Sequence, residues 1–157
     1  MQLVKFKFYF KEYIYRNTSG RKAIAYLIPA YSIYILMLLV TIPKLMGVSN
    51  GMKIFDMMPF GYGVDYANEL LNALGAEGRK IYLYQQIPLD LFYPFLSGIA
   101  NCLVLSFFLN KLKSLKEPYI YLCSLPLLAS MFDYLENFGV IGMLTNYPDY
   151  PQSLLVR

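Results

Sequence analysis

Between Ala23 and Pro43 the chain carries no charged side chain. A helix needs about 20 predominantly apolar residues to cross a hydrocarbon core, and this run is long enough to do so. A cleaved signal peptide would have a shorter apolar region, about 7 to 15 residues, followed by small residues at the cut; this run fits neither condition. The composition agrees with a membrane setting. Hydrophobic residues make up 57% and charged residues only 15% of the 157 positions, against roughly 25% charged in soluble domains. Sixteen tyrosines and eleven phenylalanines without tryptophan predict an aromatic belt of tyrosines, whose hydroxyls suit the headgroup level.

Two further apolar stretches follow, and the expected fold is an all-α integral membrane bundle with three transmembrane helices and interfacial amphipathic helices. It forms one membrane domain. Residues 1–22 are a basic interfacial segment, 23–43 the first span, 44–86 an external segment, 87–110 the second span, 119–144 the third and 145–157 an external tail. Pro94 and Pro126 each lack the N–H that an interior helix position needs, so each is expected to free a backbone carbonyl and bend its helix. Within the external segment Val64, Ala67, Leu70, Leu71 and Leu74 recur at helical spacing, with Asp65 at the start and Gly75 placed to stop the helix; it reads as lying on the outer interface.

Loop charge sets the expected orientation. Lys5, Lys7, Lys11, Arg16, Arg21 and Lys22 precede the first span against Glu12 alone, and the turn Lys111 to Glu117 is also positive. The connection from Lys44 to Gln86 balances its charges. By the preference of lysine and arginine for the cytoplasmic side, the N terminus is cytoplasmic and the protein sits in the cell's inner membrane. Leu3, Phe6, Phe10, Tyr13 and Ile14 fall on one face of residues 1–16, which suits a helix lying on anionic lipid. The basic balance then needs no nucleic acid.

The polar centre lies in the third span, where Asp133, Glu136 and Asn137 are three and four residues apart and so share one helical face. A carboxylate near the middle of a membrane helix costs about 2.5 to 3.5 kcal/mol on insertion scales, so such groups have partners, water or protons. At 1.5 Å per residue Asp133 lies about 21 Å and Glu136 about 25 Å above the inner boundary, with Asp90 of the second span about 30 Å up. Asp90, Ser97 and Asn101 form a polar stripe on that second span. Asp90, Asp133 and Glu136 are the candidate catalytic residues. Arg79, Tyr82, Tyr93, Asn137, Ser97 and Asn101 are the candidate ligand-binding residues, Arg79 as a cation folded back towards the acids. The competing reading is that the stripes bond helix to helix.

Histidine is absent, which removes imidazole metal sites, histidine triads and the common haem ligand. No phosphate loop or dinucleotide fingerprint occurs, so no cofactor and no metal are expected. Cys102 and Cys123 read as small buried thiols.

The run Pro59-Phe60-Gly61-Tyr62, then Leu70 to Gly75, Gly78-Arg79, Tyr82, Asp90, Tyr93-Pro94 and Asp133-Tyr134-Leu135-Glu136-Asn137 resembles a pattern of uncharacterised bacterial multi-pass membrane proteins. The resemblance implies a small helical membrane fold with a shared polar centre, and no activity comes with it. Similar proteins continue into a further membrane helix, so a fourth helix, a partner helix or a second copy is expected to complete the bundle. A weaker likeness is to the emopamil-binding-type sterol isomerases, from which the lack of histidine departs. The expected function is therefore to bind or process a membrane lipid or other amphiphile. The alternative is a structural or accessory subunit without catalysis.

Overall fold

A computed structural model describes Tyr9, Glu12, residues 19–111 and 119–149, the side chains of residues 119 and 120 excepted. The interfacial segment expected over 1–22, the basic turn and the end of the tail fall largely outside these. Among the described residues every regular element is helical, and three helices are long and apolar enough to cross a membrane: Gly20–Val48, Val64–Lys111 and Tyr121–Asn146. The protein is an all-α helical bundle.

The first long helix consists of α1 (Gly20–Leu36), a π-helical turn (Met37–Thr41) and α2 (Ile42–Val48). The second repeats the scheme, with α3 (Val64–Ile81), a π-helical turn (Tyr82–Gln86) and α4 (Ile87–Lys111). The third is α5 (Leu125–Asn146), preceded by a 3₁₀ turn (Tyr119–Ser124). Between the first two, residues 49–63 form an irregular strap with one 3₁₀ turn at Phe55–Met57.

Each π turn stops two residues before a proline, in Thr41-Ile42-Pro43 and Gln86-Ile87-Pro88. Proline cannot donate to the carbonyl four residues back and its ring presses on that carbonyl. Those carbonyls belong to Leu39 and Tyr84, inside the π turns. One extra residue per turn relieves the conflict, and the Ile42 and Ile87 N–H groups bond to Met37 and Tyr82, five residues back. The pair Ile28-Pro29 inside α1 has no such turn, so proline alone does not dictate it.

Pro126 proves gentler than its position in the expected third span suggested. It is the second residue of α5, where the 3₁₀ turn Tyr119–Ser124 gives way to α-helix, so it falls at a change of helix type and not inside an α-helix.

The described residues divide into two compact units. One comprises Ile33–Tyr93 with residues from Phe132 onward. Its core holds Leu45, Ile54, Phe55, Leu70, Leu71, Leu74, Tyr82, Val140 and Met143. The stripe Ala67, Leu70, Leu71 and Leu74 of α3 is thus covered by protein of the same chain. Gly75 interrupts α3 with φ 59° and ψ −175°, a conformation open to glycine and costly for other residues. Across this break Arg79 Nη1 donates to the Leu71 carbonyl at 2.8 Å.

The other unit comprises residues up to Ser32 with Pro94–Met131. Small side chains let its helices approach. A Cβ on Gly98 would lie 2.3 Å from Ser130 Oγ, so any larger residue there would displace that hydroxyl. Cys102 and Cys123 are free, buried and packed among Leu105, Leu109, Tyr121 and Leu127.

Candidate functional site

Asp90, Asp133, Glu136 and Asn137 belong to the same unit. Pro94 has no N–H for the Asp90 carbonyl. Asn137, only 3% exposed, takes over that bond, its Nδ2 donating to Asp90 O at 2.9 Å. One turn away Tyr134 donates its hydroxyl to Leu91 O at 2.7 Å. The freed carbonyl expected from Pro94 is therefore found, and restored by the third helix. In the other unit Ser130 Oγ lies 2.7 Å from Pro94 O, a further side-chain bond between helices.

The Asp90 carboxyl is half-buried, faces the Asn137 side chain, and lies within electrostatic reach of Asp133 and Glu136. The last two are exposed. They stand on a helix whose neighbouring Phe132, Leu135 and Phe138 are 70%, 62% and 61% exposed. Among the described residues no group of acids, cysteines and histidines is disposed to hold a metal ion.

Reading the sequence missed Asp56, which looked like one external charge balancing another. The strap turns it inward, where its two carboxyl oxygens accept from Tyr82 Oη at 3.0 Å and Gln86 Nε2 at 2.9 Å. Gln86 in turn accepts from Thr41 Oγ1 and has Met37 Sδ 3.5 Å from its amide nitrogen. The two π turns thus meet through the last residue of each, and Asp56 closes over the junction. Tyr82 and Gln86 are fully buried. Burial pushes the Asp56 carboxyl above its ordinary value of 3.8, and the bonds from Tyr82 and Gln86 offset only part of that. A signal for this network existed in the sequence: a polar residue before Ile-Pro, twice.

The remaining candidates are placed as follows. Tyr82 is part of the Asp56 network. Tyr93 packs on Tyr34 with ring centroids 5.6 Å apart. Arg79, besides its bond to Leu71, lies over the Tyr147 ring at 4.5 Å; these contacts hold the break in α3. Ser97 bonds to Pro94 O of its own helix at 3.3 Å, and Asn101 is exposed; both belong to the unit that contains Ser130.

The groups brought together are carboxyls, a phenol, amides and a hydroxyl. They can accept and release protons, or face a cation. Comparison with known protein families, curated proteins and solved structures finds no match for the chain.

Proposed function

We propose that this is a multi-pass protein of the cell's inner membrane, N terminus cytoplasmic, that binds or processes a lipid or other amphiphile at its acid cluster. The observation that carries the reading is the exposure of Asp133 and Glu136 among exposed Phe132, Leu135 and Phe138 on a helix of membrane length. In a bilayer that surface meets hydrocarbon, where each unpartnered carboxylate costs about 2.5 to 3.5 kcal/mol. Among the described residues the Asn137 and Tyr134 side chains that share this helix bond to backbone carbonyls. On this reading the compensating group is that of a bound molecule. An amphiphile with an amine head supplies it, its head on Asp133 and Glu136 and its tail along the apolar side chains. If the bound molecule is also transformed, Asp90, Asp133 and Glu136 are the acid and base groups available.

A second reading, a structural or accessory subunit, has its own support: Ser130, Tyr134 and Asn137 already bond helix to helix. A partner helix would then bring the cation. Native mass spectrometry of the protein extracted in mild detergent separates the two. Bound lipid that is lost from the Asp133→Asn, Glu136→Gln double variant supports the first; a lipid-free chain held in a complex supports the second. For orientation, cysteine at Ser19 should be shielded from an impermeant thiol reagent in intact cells and cysteine at Asn68 labelled, as the loop charges require. Labelling of the first alone would reverse the topology.

A further inference from the structure

The strap is attached to the helices it covers by unlike means. Ile54 and Phe55 are fully buried, and Phe55 lies beside Tyr82 with ring centroids 6.1 Å apart. Between them and the π turns stands one ionisable carboxyl. Asp56 touches both partners of the second π turn, Tyr82 and Gln86, and through Gln86 reaches Thr41 of the first. Two long helices and the connection between them therefore converge on a single carboxyl.

We propose that residues 49–63 form a proton-sensitive latch, pinned over the junction of the two π turns by Asp56. Among the described residues the charged and titratable groups that act on this pin are Tyr82 and Asp90 of the second long helix and Glu136 of the third, and none of these is a cation. Gln86 and Tyr82 supply hydrogen bonds only.

The direction follows from linkage. Asp56 in the closed strap holds its proton more tightly than its ordinary value of 3.8, because burial disfavours the charged form. In the released strap, in water, it returns to that value. Protonation thus favours the closed form. As pH rises through the window above 3.8, the closed form weakens. One linked proton changes the closed-to-open ratio by at most about tenfold per pH unit. Release uncovers Tyr82 and Gln86, which stand one to two turns from Asp90. The latch is independent of what, if anything, the acid cluster binds.

Hydrogen exchange read by mass spectrometry on the full chain in nanodiscs tests it, over about pH 4 to 8 with the chemical exchange rate corrected. In the wild type, protection of the 49–63 peptide should fall as pH rises. Asp56→Asn, which stays neutral, should remain protected throughout. Asp56→Ala, which removes the pin, should be poorly protected at every pH. Tyr82→Phe keeps the carboxyl and removes one donor to its ionised form, so the fall with pH should persist and deepen. A pH-independent wild type would overturn the latch. So would Asp56→Asn following the wild-type curve, Asp56→Ala staying protected, or Tyr82→Phe losing the pH dependence.

Discussion

Two polar regions of one unit are handled in opposite ways. At the π-turn junction each group has a partner inside the chain: Thr41 on Gln86, Gln86 on Asp56, Tyr82 on Asp56, with Tyr82 and Gln86 sealed from solvent. On the flank of α5, Asp133 and Glu136 face outward among apolar neighbours. A buried polar group costs its full desolvation when left unpaired, so the first arrangement is a device for holding helices. Among the described residues the second takes part in no internal hydrogen bond or ion pair. Polar residues in apolar helices are thus of two kinds here, and helical spacing treats them alike.

Phe55→Ala should give the largest effect. A fully buried ring stacked near Tyr82 is lost from beneath the strap, and such truncations cost about 3 to 5 kcal/mol. Unfolding in detergent by added denaturant measures it. A loss below about 1 kcal/mol would mean that the strap contributes little and that the contrast drawn here fails on its inner side.

Asn137→Leu comes next, at about 1 to 3 kcal/mol, since it leaves the part-buried Asp90 carbonyl without a donor. Pro94→Ala supplies the missing N–H from the same helix. In the double variant the cost of Asn137→Leu should shrink, a coupling that a purely steric role for Asn137 would not produce.

At neutral pH Asp56→Asn should unfold at higher denaturant than the wild type, and the difference should vanish as pH falls towards 3.8. The sign follows because a carboxyl raised by burial contributes a penalty that appears as pH climbs through its folded-state value. A difference that grew on acidification would show that Tyr82 and Gln86 outweigh burial.

The smallest effect on stability belongs to Asp133→Asn and Glu136→Gln, expected within about 0.5 kcal/mol in detergent because exposed groups outside any internal contact lose little. Loss of bound lipid without loss of stability sharpens the comparison. Loss of both together erases it, since the flank acids would then be part of the scaffold.

The helical class, the three membrane-length segments, the amphipathic stripe of α3 with its break at Gly75, and the carbonyl that Pro94 frees were all legible in the chain before it folds. Each follows from a local rule: hydropathy over about 20 residues, a repeat of 3.6, or the missing N–H of proline. The sequence also placed Asp90, Asp133 and Glu136 together in the outer half of the spans, because the rise per residue is fixed. Only the tertiary structure decided what each polar residue faces. Asp56 looked like a loop charge because nothing local turns a strap inward; that depends on Ile54 and Phe55 finding a core built from distant helices. Likewise the bond from Arg79 to the Leu71 carbonyl reaches across the break at Gly75, and no repeat in the sequence announces it. The π turns escaped notice because Ile-Pro occurs without one at Ile28-Pro29. What distinguishes the other two is a polar residue whose bond, Thr41 to Gln86, spans 45 positions and exists only once the helices have met.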